Sequence, residues 1–284
     1  MRVVIGGMAK SGTTALFYAV RSGMPPGTLC LFEPKRYRPV PTPHVLAKIL
    51  ANPGVDWSAF KRFHKKLHIA RDPRDRLISA GLYGIYGYPR PISQDAEARL
   101  LDLIRRKEAD STSLSFRDIC DQFGQILGGD RIAGYLTRLE LGCRTFLQHR
   151  DFHCVRYEDF VAGNVQAIEA YLGFDLPGAV QVAPSVKRVE RTKGSGDWRN
   201  WFTAADVDFF RPRLREAFGV LGYEDVWDLS PSPRVDPKHG SDYVARLIAD
   251  QRRKFDRPKG WIRGWPSQVT RSLRLRIPSL KLRH

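Results

Sequence analysis

The residues of this chain best suited to chemistry stand near its start. Lys10, Ser11, Gly12, Thr13 and Thr14 follow the β-branched run Val3-Val4-Ile5 and the pair Gly6-Gly7. An ammonium, hydroxyls and a glycine turn ahead of a helix make an anion cradle, because backbone N–H groups and the positive helix end then face one point. Set against the nucleotide-hydrolase loop G-x-x-x-x-G-K-[ST], the gap from Gly7 reaches Gly12, but Thr13 occupies the lysine slot and Lys10 lies three residues upstream of it.

A second set follows a later apolar run, at Arg71-Asp72-Pro73-Arg74-Asp75-Arg76-Leu77-Ile78-Ser79. Asp72 is a helix N-cap with Pro73 in the first turn. Residues 72, 75, 76 and 79 then share about one face, and Ser79 turns back toward the strand end that holds Arg71. A guanidinium fork and a hydroxyl converging on one point suit a phosphate. Glu33 is biased away from helix by Pro34 and ends a short apolar run. That puts a carboxylate at a strand end, where α/β folds place their chemistry.

Ala9-Lys10-Ser11-Gly12-Thr13-Thr14 resembles the 5′-phosphosulfate loop of the PAPS-dependent sulfotransferases, and Arg71, Pro73, Asp75 and Ser79 resemble the R-x-P-x-D-x-x-x-S 3′-phosphate motif of the same family. Arg156-Tyr157-Glu158-Asp159-Phe160 resembles its tyrosine-acid-acid stretch. Arg191 to Thr203 is similar to its R-K-G-x-x-G-D-W-K-N-x-F-T loop. There Gly196-Asp197-Trp198 is in frame, while Thr192 falls where the family has lysine and Lys193 where it has glycine.

The resemblance spans residues 1–223 and implies that PAPS (3′-phosphoadenosine 5′-phosphosulfate) donates a sulfuryl group to an acceptor hydroxyl or amine, leaving PAP. It implies Lys10 and the N–H groups of Ser11, Gly12, Thr13 and Thr14 on the 5′-phosphate. Arg71, Ser79, Arg191 and Lys193 are implied at the 3′-phosphate end and Tyr157 against the adenine. For the general base it implies Glu33, as in glycan sulfotransferases, or His44, the nearest histidine, as in cytosolic small-molecule members; Glu33 is preferred. No metal is implied, since a lysine takes over the charge compensation. The alternative, a P-loop kinase-like phosphotransferase on a small metabolite, lacks its lysine at Thr13.

Holding these groups together calls for an α/β fold. The expectation is a central, mostly parallel sheet flanked by helices, a P-loop-like three-layer sandwich with a basic C-terminal tail. Strands are expected from residue 2, over Thr28–Phe32, over Leu67–Ala70 and over Phe152–Tyr157, with helices at Ala15–Val20 and after Arg71. His44–Leu50 reads as a helix carrying Lys48. Residues 92–148 read as mostly helical with a break at Gly128-Gly129-Asp130, and Thr203 N-caps a helix over Ala204–Phe218.

The 284 residues carry 47 Lys and Arg against 30 Asp and Glu, a net charge of +17 that calls for anionic partners. From Arg252 to His284 there are eleven basic residues and one acid, and Pro231-Ser232-Pro233 divides the chain into a catalytic domain, 1–230, and a basic extension, 231–284. Trp261 and Trp265 in that extension suit peripheral contact with an anionic membrane or an acidic acceptor chain. The charge favours a carbohydrate or other glycan or lipid-linked acceptor, and no nucleic acid is expected. Cys30, Cys120, Cys143 and Cys154 lack zinc-site or disulfide-scaffold spacing and are read as reduced core thiols. A strand starting at residue 2 leaves no room for a signal peptide, and no stretch has the roughly 18 apolar residues of a membrane span, so a cytoplasmic location is expected.

Overall fold

The computed structural model describes residues 1–176, 190–192 and 194–256. Lys193 and the part of the basic extension that carries Trp261 and Trp265 lie outside the described residues. The chain runs β1 (Arg2–Gly7), α1 (Thr13–Gly23), β2 (Leu29–Phe32), β3 (Val45–Lys48), a 3-10 turn (Trp57–Phe60), β4 (Lys65–Ala70) and α2 (Pro73–Tyr83). A second 3-10 turn (Gly84–Gly87) leads to α3 (Gln94–Ala109), α4 (Phe116–Leu127), α5 (Arg131–Gln148) and β5 (His153–Arg156). Then come α6 (Tyr157–Val161), α7 (Gln166–Leu172), α8 (Trp198–Trp201), α9 (Ala204–Leu221) and α10 (Ser241–Arg253).

The sheet has five strands in the order β2-β3-β1-β4-β5, every pair parallel. Both faces are covered, which is why its strands read as unbroken apolar runs rather than alternating ones. Val3, Ile5, Leu67 and Ile69 pack against Leu16, Phe17 and Val20 of α1 and Ile168 and Leu172 of α7. Val4, Val45 and Ala47 face Phe60, Phe63 and Phe152 instead, and Phe146 of α5 meets His68 edge-on. From the central β1 the chain winds out to β2 and β3 on one side, then crosses to β4 and β5 on the other. That reversal leaves a crevice at the carboxyl ends of the strands.

His44–Leu50 is not a helix. Val45–Lys48 is the strand β3, fully buried between β1 and β2, and Ile49 N donates to Ile5 O at 2.8 Å. A four-residue run buried on both faces has no period to distinguish it from a core helix, so tertiary pairing decided it. The consequence is functional, because a strand delivers Lys48 to the same edge as the loop after β1. Helix α9 also runs past Phe218 to Leu221, through an exposed Gly219 that costs only about 1 kcal/mol in a helix. Gly222, at φ 73°, takes the left-handed conformation that ends it.

The helices after β4 build a second core around Leu77, Ile104, Phe116, Phe123, Trp198 and Phe210. Tyr243, Val244, Leu247 and Ile248 of α10 belong to it, so the chain beyond the Pro231-Ser232-Pro233 turn continues into the same packing. Cys120 and Cys143 are buried, Cys30 is half-buried and Cys154 is exposed on the edge strand β5, a departure from the expected set of core thiols. Among the described residues no helix is long and apolar enough to cross a membrane.

Asp206 ties two of these helices together. Its carboxylate accepts from Phe116 N (2.8 Å) and Arg117 N (2.9 Å) at the start of α4, and from Thr203 N (2.9 Å) and Thr203 Oγ1 (3.1 Å) at the start of α9. Asp206→Ala strands those donors in the interior and is expected to lower unfolding free energy by about 2–4 kcal/mol in urea titrations.

Candidate active site

The loop between β1 and α1 has an unusual backbone for its sequence. Lys10 sits at φ 70° and Gly12 at φ 89°, both left-handed. For Lys10 this is a strained position of the kind that gathers at functional sites. Glycine is required at 12 on two grounds, because a Cβ there would lie 2.4 Å from Tyr157 Cδ2 as well as at positive φ. Two arginines hold the loop by its carbonyls: Arg71 Nη1 donates to Lys10 O at 3.2 Å and Arg76 Nε to Ala9 O at 3.0 Å. Gly12 has no side chain to cap α1, which leaves the first-turn N–H groups for a ligand.

A cavity of about 380 Å³ opens in front of this loop. Lys10, Gly12, Thr13 and Thr14 line it, together with Glu33, Arg71, Ser79, Tyr157 and Arg191, so residues spread over five stretches of sequence meet in one place. Ser11 is fully buried between them. Lys193 lies outside the described residues. His44 is not brought here. It precedes β3 at the opposite, amino-terminal edge of the sheet, where its Nδ1 is 3.1 Å from the Met1 amino group. In a parallel sheet the residue before a strand and the residue after one cannot share an edge, so Glu33 reaches the cavity and His44 does not.

Two guanidinium groups dominate the cavity wall. Arg71 is 4% exposed, lies 4.3 Å over the Tyr157 ring, and has Nε and Nη2 buried with no hydrogen-bond partner. Arg191 donates through Nη1 to Asp197 Oδ2 at 2.6 Å, and its Nε and Nη2 are likewise without a partner. The Ser11 hydroxyl is in the same state. Leaving such a group buried and unmet costs about 1–3 kcal/mol. Unpartnered donors on two arginines that line one cavity suit an anion.

Asp75 joins the second motif to the third. Its carboxylate accepts from Gly196 N (2.6 Å) and Trp198 N (3.0 Å), which fixes the segment carrying Asp197 and therefore Arg191. Burial pushes this carboxyl up to about 6, with the nearby Arg71 charge pulling it back. Glu158 does similar work one layer out, accepting from Asp72 N (3.0 Å) and Tyr223 OH (2.6 Å). Tyr157 OH donates to Thr192 O at 3.3 Å.

On another wall, Glu33 at φ 57° ends β2 in a second strained conformation. Its Oε1 is 2.5 Å from Lys48 Nζ, and that ammonium also donates to Thr14 Oγ1 at 3.1 Å and lies 3.9 Å over the Phe32 ring. Burial pushes the Lys48 ammonium down, and the Glu33 carboxylate pulls it back up. Sequence reasoning missed Lys48 as a site residue because the segment read as helix. A lysine closing an apolar run was the available signal. Tyr83, also on the cavity wall, had no signal of its own. Among the described residues no group of three or more His, Cys, Asp or Glu is arranged to hold a metal ion.

The Asp75 shift has a testable sign. A folded-state carboxyl at about 6 against 3.8 for the free group means the native state binds the proton more tightly. Its contribution is therefore full below about pH 4 and is lost as pH rises through 6. Relative to Asp75→Asn, the wild type is expected to lose up to ~3 kcal/mol of unfolding free energy between pH 4 and 7, read from urea curves across that range. No protein-family model matches the chain, and no curated protein matches it. Among solved structures it is similar to the mouse sulfotransferase SULT7A1 complexed with PAP, at 16% identity and a TM-score of 0.45, over 76% of this chain and 84% of that one.

Proposed function

We propose that this protein is a PAPS-dependent sulfotransferase, which moves a sulfuryl group from PAPS to an acceptor hydroxyl or amine and releases PAP. The observation that carries this reading is one cavity shared by Lys10, the start of α1, and Arg71 and Arg191, each with Nε and Nη2 buried and unpartnered. A nucleotide phosphorylated at both its 3′ and 5′ positions answers both sets of donors at once.

In this reading Lys10 and the N–H groups of residues 11–14 hold the 5′-phosphate, while Arg71, Ser79 and Arg191, joined by Lys193, hold the 3′-phosphate, with Tyr157 against the adenine. The acceptor oxygen attacks sulfur in line as the bond to the 5′-phosphate oxygen breaks. Negative charge then grows on that leaving oxygen, where a preformed ammonium and backbone donors stabilise it most. The acceptor proton goes to Glu33. The Lys48 ammonium at 2.5 Å holds the Glu33 side chain in place. The acceptor that a carboxylate base and a +17 chain support is a carbohydrate or lipid-linked glycan. We further propose a cytoplasmic protein whose basic extension touches anionic membrane.

The first test is ligand stabilisation: PAP in EDTA is expected to raise the melting temperature, and ATP with magnesium is not. The reverse result would replace this reading with a phosphotransferase. Lys10→Ala is expected to lower transfer from labelled PAPS into a fractionated extract by about a thousandfold, the loss typical of one removed charge-stabilising donor. Arg71→Ala is expected to weaken PAP binding by roughly ten- to a hundredfold in calorimetry. Glu33→Gln is expected to slow single-turnover transfer by at least about a hundredfold with PAP affinity unchanged, while His44→Ala leaves the rate intact. The opposite pattern in this last pair would remove Glu33 as the base.

A further inference from the structure

We propose that Tyr83 and Tyr243 form a saddle that positions the Lys10 ammonium, so that α10 is part of the donor machinery; this rests on the role given to Lys10 above. The Lys10 Nζ lies 4.1 Å from the centroid of the Tyr83 ring and 6.0 Å from that of Tyr243, and it donates to the Tyr243 hydroxyl at 3.4 Å. Lysine carries its charge on a flexible four-carbon stem, so a catalytic ammonium has to be fixed by its surroundings. A ring face attracts it through the π system, and a buried hydroxyl offers it a lone pair. Together they restrict the stem and exclude water from one side of the cation before the donor arrives.

The two tyrosines reach this spot by independent routes, and each route is anchored. Tyr83 ends α2, the helix of the second motif, and lines the cavity. The 3-10 turn Gly84–Gly87 that follows packs on α10. Tyr243, 1% exposed, is the third residue of α10. At its amino end α10 is pinned by Ser241, whose N and Oγ donate to Glu108 at 2.6 and 2.9 Å. At its other end the fully buried Gln251 donates to Tyr88 O and Arg90 O and accepts from Ile92 N. Arg252 adds an ion pair with Glu97 at 2.6 Å. Apolar side chains would bury as much surface at Ser241 and Gln251. The polar bonds set the register of the helix, and with it the position of the Tyr243 hydroxyl.

Burial pushes the Tyr243 phenol up, so the hydroxyl stays neutral across the working range. A residue that acts through Lys10 should change turnover rather than donor affinity.

Tyr243→Phe keeps the ring and removes the hydroxyl. It is expected to slow PAPS turnover about tenfold, the worth of a hydrogen bond to a charged group, with PAP affinity within about threefold of wild type. Turnover is read as labelled sulfate released with water as acceptor, and affinity by calorimetry. Unchanged turnover, or a loss of affinity as large as the loss of rate, overturns the proposal. A second readout does not need the donor to bind. In protein carrying lysine labelled at Cε, with the Lys10 signal assigned by Lys10→Arg, the ring current of Tyr83 should shift the Lys10 signal upfield, and Tyr83→Leu should abolish the shift. Absence of the shift in wild type overturns the saddle. Failure of wild type to bind PAP while the shift is present overturns the donor reading and leaves the saddle standing.

Discussion

One guanidinium organises the site. Arg71 stands immediately after β4, donates to the carbonyl of Lys10, and stacks on the Tyr157 ring that itself presses on Gly12. Three segments far apart in sequence thus meet on a single buried cation. Arg71 lines the cavity, and its Nε and Nη2 are buried with no protein acceptor. A buried charge in that state is stable only if something else answers it, so the same residue that holds the loop in shape also creates the demand for an anionic ligand.

Around that cation the fold works as a set of clamps. Arg76 holds the neighbouring carbonyl of Ala9, Asp75 holds the backbone at 196 and 198, and Asp197 holds Arg191. The carboxylates of the second motif and its other arginines are thus used mostly on protein, while Arg71 and Arg191 line the cavity. On the proposed acceptor side the arrangement differs. A strained Glu33 is held against a buried Lys48 that also touches Thr14, so a change in the charge of one is felt at the start of α1.

The site lies where the strand order reverses, and this is why short elements suffice to build it. β1 ends in the loop, β2 in Glu33, β3 in Lys48 and β4 in Arg71, all at one edge of a parallel sheet. Parallel pairing aligns four strand ends, and each contributes one charged group. The helical half supplies what strands cannot, a wall that closes from the side. Through α10 it brings Tyr243 to Lys10 across 233 positions of sequence.

Local chemistry made much of this legible before folding was considered. Glycine at 12, Asp72 before Pro73, and the proline after Glu33 each act within a few residues, so the loop, the start of α2 and the end of β2 follow from sequence alone. Spacing likewise placed Ser79 on the face turned toward Arg71, and both line the cavity. What local chemistry could not decide was which groups share an edge or a core. Lys48 was read on a helix because four residues buried on both faces carry no period, and only pairing with β1 and β2 made them a strand. His44 and Glu33 were rivals in sequence, yet the direction of the parallel strands sends them to opposite edges. The partnership of Lys10 with Tyr83 and Tyr243 depends on the packing of α10 against the turn after α2. Long-range packing is the sum of many weak contacts, and no short stretch of residues records it.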